Sequence, residues 1–169
     1  MRLQWINSFG GPLLCASPIA RDLWRGGSGS SANVDETDYD RASEQVDYIG
    51  VLDCGLSQLL VLGDEPLQST FIPKDEEIII VRWVSCISEE CASDAIAQLP
   101  ATLPVIQAPT KFRLANQGLI MFDAAFEGRN LPSYLSAELK PGLFYITTEK
   151  YKSERAYEFL IHRFIRDQS

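Results

Sequence analysis

The sequence lacks a long apolar run, a histidine cluster and any closely paired cysteines. No stretch of about 18 apolar residues occurs among its 169 residues, which excludes a transmembrane helix. The residues before Gly10-Gly11-Pro12 contain no apolar core of the kind found in signal peptides, so we expect no secretory leader. His162 is the single histidine, and no Cys-x-x-Cys pair occurs. We therefore expect neither a metal site nor any other cofactor.

The composition is that of an ordinary globular protein, with 46% hydrophobic and 22% charged residues. Its charge is distributed unevenly along the chain. Residues 1–100 contain 16 acidic and 6 basic side chains, whereas residues 101–169 contain 7 acidic and 9 basic ones. Helix-stopping prolines, Pro100 and Pro104, lie where the charge changes. We therefore expect an acidic α+β half (1–100) and a β-rich half (101–169) packed together as one compact unit.

The strong acidity of the first half makes direct nucleic-acid binding unfavourable, because it repels phosphate backbones. The same charge favours solubility, and it would also speed the encounter with a basic protein.

The four cysteines, Cys15, Cys54, Cys86 and Cys91, lie mostly among apolar residues. We expect all four to be reduced core residues of a cytoplasmic protein.

Three short helices are predicted from their capping residues. Ser17 precedes Pro18, a proline at the favoured first helical position. Thr37 and Asp40 have the spacing of a capping box, and Ser88 precedes two glutamates that suit a helix N-terminus. The first two helices flank a loop rich in glycine and serine, residues 26–33, which we expect to be flexible.

The strongest strand signal is Ile78–Val84, which is β-branched and apolar almost throughout. Such a run predicts an interior strand buried on both faces. Tyr48–Leu52 and Leu59–Leu62 predict a strand pair. Further strands are expected at Arg2–Ile6, Leu13–Ala16, Val105–Gln107, Lys111–Leu114, Gly118–Phe126 and Leu143–Thr148. The fold class is therefore α+β, strand-rich, with mainly antiparallel sheets and two or three short helices.

The last segment, Arg155–Arg166, fits two patterns. Tyr157, Leu160, Ile161 and Phe164 form a helical stripe, while Tyr157, Phe159 and Ile161 also alternate as on one face of a strand. The periodicity alone leaves both structures open.

Two carboxylate pairs are the candidates for chemistry. Asp38 and Asp40 could serve a metal-assisted hydrolase, although the start of a helix explains them more simply. Asp64 and Glu65 could form a reactive pair, although a polar turn after a strand is the simpler interpretation. A small hydrolase or a sugar-binding domain therefore remains the alternative function, and no residue is assigned a catalytic role.

Several separate segments together resemble the immunity protein 21 family of bacterial polymorphic toxin systems. The likeness covers most of residues 1–85, with weaker support from Pro141-Gly142, Tyr145 and residues 160–163. The segments that carry it are Trp5, Gly10-Gly11-Pro12-Leu13-Leu14, Trp24-Arg25-Gly26, Asp38-Tyr39-Asp40-Arg41-Ala42, Leu60-Val61-Leu62-Gly63-Asp64-Glu65-Pro66 and Arg82-Trp83. The resemblance implies a small cytoplasmic protein that binds and neutralises a cognate toxin, without catalysis and without a role at a membrane. It also favours a strand for Arg155–Arg166.

We expect the toxin to dock on the acidic half, beside the glycine-serine loop, because loops on rigid scaffolds often carry binding function. The residues expected to contribute are Asp35, Glu36, Asp38, Tyr39 and Asp40. Turn glycines and tryptophans usually serve folding, so the remaining family-motif residues are expected to be structural. These are Trp5, Gly10, Gly11, Pro12, Trp24, Gly63, Asp64, Glu65, Pro66 and Trp83. The sequence indicates no oligomeric state.

Overall fold

The structure is a computed structural model that describes residues 2–169. Within that range it has three α-helices, a short 3₁₀ turn and ten β-strands. The helices are α1 (Pro18–Leu23), α2 (Asp38–Ser43) and α3 (Glu89–Ala97), and the 3₁₀ turn is Gly26–Ser28. The strands are β1 (Leu13–Ala16), β2 (Ile49–Cys54), β3 (Ser57–Leu62), β4 (Ser69–Lys74), β5 (Glu77–Cys86), β6 (Val105–Leu114), β7 (Leu119–Asp123), β8 (Leu135–Ala137), β9 (Gly142–Lys152) and β10 (Tyr157–Arg166).

The strands form two five-stranded sheets, in which every pairing is antiparallel. Sheet I has the order β2-β3-β1-β7-β8, and sheet II has the order β4-β5-β10-β9-β6. The α+β, strand-rich fold expected from the sequence is therefore confirmed. Each sheet combines strands from residues 1–100 with strands from residues 101–169, so the change of charge near residue 100 does not separate one sheet from the other.

The two sheets pack face to face, with the helices on their outer faces. Alternate side chains of each sheet point into a shared apolar layer, for example Leu60 from β3 and Ile80 from β5. Helices α1 and α2 cover the outer face of sheet I, around the buried Trp24. Helix α3 covers the outer face of sheet II. The chain thus forms four layers, because each sheet buries apolar residues on both of its faces.

The predicted helix caps and the strongest strand are confirmed. The side chains of Ser17 and Ser88 accept hydrogen bonds from the amides of Ala20 and Cys91, at 3.3 and 3.1 Å. Strand β5 is flanked by β4 and β10, so it lies inside its sheet as its apolar sequence predicts. Its C-terminal end leaves the core, since Val84 is exposed.

The segment Arg155–Arg166, left open by periodicity, is a strand from Tyr157 onward. Strand β10 pairs along its length with β5 on one side and β9 on the other. These long-range pairings provide hydrogen-bond partners for its main-chain groups, and they favour the strand over the helix that the local sequence also allows.

Some strand boundaries predicted from the sequence are wrong. Residues 2–6 do not form a strand; only Ile6 bridges to Ser69, with two main-chain hydrogen bonds of 2.9 Å. Leu3 and Trp5 instead pack against the outer apolar cluster of sheet II. The two short strands expected at 105–107 and 111–114 are one strand, β6, interrupted by shifts of register.

The two sheets are also joined along one edge by a side chain. Gln107 of β6 donates from Nε2 to the Ile49 carbonyl at 3.1 Å and accepts from the Ile49 amide at 3.4 Å. The amide side chain therefore imitates a strand residue and partly covers the free edge of β2.

No helix among residues 2–169 is both long enough and apolar enough to cross a bilayer.

His162 lies wholly buried between the sheets. Its Nδ1 is 3.0 Å from the hydroxyl of Thr148, and its Nε2 has no hydrogen-bond partner among residues 2–169. Burial lowers the pKa of His162 well below its usual value, and the nearby positive charge of Arg82 lowers it further. The imidazole is therefore neutral in the folded protein at neutral pH.

This histidine should make the protein less stable in weak acid. In the unfolded chain His162 binds a proton below about pH 6.5, while the folded protein resists protonation there. We expect the free energy of unfolding to fall by up to about 1.4 kcal/mol per pH unit below that point through this one group. Urea unfolding of wild type and His162→Asn between pH 7.5 and 5 measures the effect. Equal slopes for both proteins would contradict the assignment.

Candidate functional site: the α2 surface and the adjoining groove

Helix α2 begins with the capping box that its sequence predicts. The Thr37 hydroxyl accepts from the Asp40 amide at 3.1 Å, and the Asp40 carboxylate accepts from the Thr37 amide at 3.4 Å. The carboxylate of Asp40 remains exposed at the surface. A six-residue helix needs such caps, because few of its amides have partners within the helix.

Asp38, the first residue of α2, is completely buried. Its carboxylate accepts hydrogen bonds from the amides of Arg25 and Ser31, at 2.8 and 2.9 Å. The hydroxyl of Ser31 and the guanidinium of Arg41 complete its shell, each at 3.0 Å. Asp38 is therefore a positioning residue that orders the glycine-serine loop against α2, and its carboxylate is buried away from the surface. These bonds attach Ser31 of the loop to the start of α2.

Tyr39 is half-buried and forms a wall between α2 and the segment Gly10-Gly11-Pro12. A Cβ atom on Gly11 would lie 2.6 Å from the Tyr39 ring, so a larger residue there would displace the ring. Asp123 supports the same segment from the other side, accepting from the Phe9 amide at 2.8 Å. The aromatic ring thus lies directly against the Gly10-Gly11-Pro12 segment.

A groove of about 220 Å³ brings three of the family motifs together. One side is formed by Gly10-Gly11-Pro12, and another by Gly63-Asp64-Glu65-Pro66, which follows β3. Helix α2 provides the third side. Its lining residues there are Tyr39, Ala42, Ser43 and the following Gln45. Motifs about 50 residues apart in sequence therefore meet at one surface feature.

Arg82 fixes the Gly63-Asp64-Glu65-Pro66 side of this groove from inside the fold. The guanidinium, in strand β5, is 1% exposed and donates to three main-chain carbonyls. The acceptors are Tyr48 at 2.9 Å, Gly63 at 2.7 Å and Glu65 at 2.7 Å. Between the last two, Asp64 has a φ of +65°, a left-handed conformation uncommon for a residue with a side chain.

The charge of Arg82 persists despite its burial. Burial lowers the pKa of Arg82 to about 10, and the carboxylate of Asp64 partly opposes that effect. The guanidinium is therefore still protonated at neutral pH. Its strong hydrogen bonds explain how the loop is held in its strained conformation.

The outer surface of α2 carries a group of exposed carboxylates. Glu36, Asp40 and Glu44 lie close together there, and Asp35 precedes them in the exposed loop. Some burial, followed by the negative charges of Glu44 and Asp40, raises the pKa of Glu36. The carboxylates therefore repel one another, and a cation placed among them would relieve that repulsion.

The two candidate carboxylate pairs have different surroundings. Asp38 is buried and fully hydrogen-bonded while Asp40 caps the helix, so this pair does not form a shared site. Asp64 and Glu65 are exposed and line the groove. Among residues 2–169, no group of three or more His, Cys, Asp and Glu side chains could hold a metal ion.

The three motif tryptophans lie in the packed framework. Trp24 is 1% exposed and donates from Nε1 to the carbonyl of Ala124 at 2.9 Å. Trp5 and Trp83 meet edge to face, with ring centroids 5.2 Å apart, on the outer face of sheet II. They lie on the opposite side of the sandwich from α2, and they stabilise the position of the N-terminal segment.

Sequence reasoning missed the roles of Arg82 and of the groove residues Ser43 and Gln45. One signal for Arg82 is present in the sequence, since it is the single charged residue within the apolar run Ile78–Val84. A cation inside a strand that is otherwise buried needs partners, and here they come from loops that the sequence cannot place.

The family comparison supports the resemblance found in the sequence. The family model for immunity protein 21 matches residues 4–156, and the chain belongs to this family. A search of curated proteins and a search of solved structures each found no match.

We predict that Arg82→Met lowers the free energy of unfolding by about 3 kcal/mol, because it leaves three carbonyls without their donor. Urea denaturation measures the loss. The matched control is Arg113→Met, at an exposed position of β6, which should change stability by less than about 0.5 kcal/mol. Similar losses in the two variants would show that Arg82 does not hold the loop.

We predict that Asp38→Asn costs about 2 kcal/mol, because it removes the charge from a buried carboxylate with four donors. Amide hydrogen exchange should also become faster at Arg25 and Ser31, whose amides Asp38 binds. Asp53→Asn, an exposed aspartate, is the control. Unchanged exchange at both amides would contradict the positioning role.

Proposed function

We propose that this chain is the immunity protein of a polymorphic toxin system, which binds and neutralises a cognate toxin in the cytoplasm. Membership of the immunity protein 21 family over residues 4–156 is the observation that carries the proposal. The proposed action is binding alone, without catalysis, metal or cofactor. Nucleic acid and membrane are not its proposed partners, since the overall charge is −8.

The toxin is proposed to dock on the outer surface of α2, where the carboxylates of Asp35, Glu36 and Asp40 are exposed. Glu44 extends this surface by one helical turn from Asp40. A partner with a basic surface would be attracted to it over several ångströms, which increases the association rate more than the affinity. The capped helix holds Asp40 in place before binding, and this lowers the entropic cost of association.

Tyr39 and Asp38 take supporting roles in this proposal. Tyr39 presents the aromatic wall of the adjoining groove, where a side chain of the toxin could be anchored. Asp38 acts behind the surface, because its carboxylate orders the loop that carries Asp35 and Glu36. The surface therefore combines a charged area for encounter with a concave area for an anchor.

The second candidate is a small hydrolase or sugar-binding domain, favoured by the exposed Asp64 and Glu65 at the rim of the groove. Asp64→Asn/Glu65→Gln separates the two functions. An activity that this variant abolishes would support the second candidate. Neutralisation of the toxin that survives the substitutions would support binding alone.

We predict that Asp35→Lys/Glu36→Lys reduces the association rate with the toxin encoded beside this chain's gene by at least about tenfold at low salt. The reduction should shrink as the salt concentration rises, because salt screens exposed charges. Stopped-flow or surface binding at several salt concentrations measures it.

The control is Asp94→Lys/Glu154→Lys, which makes the same change of charge at exposed positions on the side of sheet II. This variant should keep most of the wild-type association rate. Equal reductions in both variants would attribute the effect to net charge and contradict the proposed surface. Absence of wild-type binding would instead contradict the function itself.

A further inference from the structure

Cys86 and Cys91 meet where strand β5 leads into helix α3. Cys86 is the last residue of β5, and Cys91 lies in the first turn of α3. Ser88 joins the two: its carbonyl accepts from the Cys86 thiol at 3.4 Å, and its hydroxyl accepts from the Cys91 amide at 3.1 Å. Both cysteines are thereby held against one tight turn.

The two thiols also interact with each other. The neighbouring thiol of Cys86, followed by burial, raises the pKa of Cys91. Both side chains are half-buried, so small molecules in solution can reach them, although the expectation from the sequence placed them in the core.

The other two cysteines have a different environment. Cys15 and Cys54 have no exposed surface, and burial raises the pKa of both thiols. Cys15 lies in the apolar layer between the sheets, and Cys54 lies under α1. Reagents that act on thiolates in solution therefore reach one pair of cysteines and not the other pair.

We propose that Cys86 and Cys91 form a redox-modification site, at which a small disulfide such as oxidised glutathione converts the two thiols into an internal disulfide bond. The pairing requires no rearrangement of the sheets, because Ser88 already binds the Cys86 thiol and the Cys91 amide at one turn. The disulfide would tether the first turn of α3 to the end of β5. A reducing cytoplasm keeps both cysteines as thiols, and a change to oxidising conditions forms the disulfide bond.

The reaction balances as an ordinary thiol–disulfide exchange. The Cys86 thiolate attacks one sulfur of the reagent, which forms a mixed disulfide and releases one reagent thiolate. Cys91 then loses its proton to solvent, and its sulfur attacks Sγ of Cys86 and releases the second reagent thiolate. The protein loses two electrons and two protons, and the reagent disulfide becomes two thiols.

The test is to incubate the folded full-length chain with oxidised glutathione, block the remaining thiols, and measure mass and peptide connectivity. We expect the number of free thiols to fall from four to two, with the intact mass falling by about 2 Da. The linked peptides should contain Cys86 and Cys91. Cys91→Ser should instead retain one glutathione on Cys86, since the resolving thiol is absent.

The double variant Cys86→Ser/Cys91→Ser is the matched control, and it should keep both buried thiols free under the same treatment. Circular dichroism verifies that each variant is folded, and alanine replaces serine at any position where serine prevents folding. Four free thiols in wild type after equilibration would overturn the proposal. A disulfide that includes Cys15 or Cys54 would overturn it as well.

Discussion

The surface proposed to bind the toxin depends on one buried cation. Arg82 belongs to sheet II, yet the carbonyls that it binds precede β2 and follow β3 of sheet I. A single side chain therefore connects the two sheets and fixes the loop that forms one side of the groove. Burying a guanidinium is costly, and three short hydrogen bonds to main-chain oxygens offset that cost. The same charge acts on His162 and helps to keep that imidazole neutral in the core.

A second buried group, the carboxylate of Asp38, performs the corresponding task on the side of α2. It neutralises the guanidinium of Arg41 and accepts from two loop amides, so the glycine-serine loop is held against the helix. Arg82 and Asp38 thus hold two parts of one surface from beneath. Of the exposed carboxylates around them, Asp40 also caps α2, whereas Asp35 lies in the loop and is exposed to a partner.

The elements that are determined locally could be predicted from the sequence. The helix caps depend only on short spacing along the chain. Each cap side chain accepts a hydrogen bond from an amide a few residues further on, as do Ser17 before Pro18, Thr37 with Asp40, and Ser88. The elements that depend on partners far away in the sequence could not be predicted. Arg2–Ile6 has the composition of a strand, but only Ile6 finds a partner on β4, and β8 has too short a pattern to be seen.

The site shows the same division between local and distant effects. Asp35, Glu36 and Asp40 could be predicted as exposed acids, because they lie next to a polar loop and a helix start. The burial of Asp38 could not be predicted, because it depends on Arg25 and Ser31 folding back around its carboxylate. The groove was equally hidden, since its sides come from residues 10–12, 39–45 and 62–66. Only the packed fold places them together.

The most direct test of the central claim is to co-express this chain with the toxin encoded beside its gene and to purify whatever assembles. The account predicts that growth is restored, that the two chains purify together in fixed proportion, and that the bound toxin keeps its unmodified mass. Restored growth with a chemically altered toxin and no stable complex would contradict it. Failure to restore growth while both chains are folded and present would contradict it too.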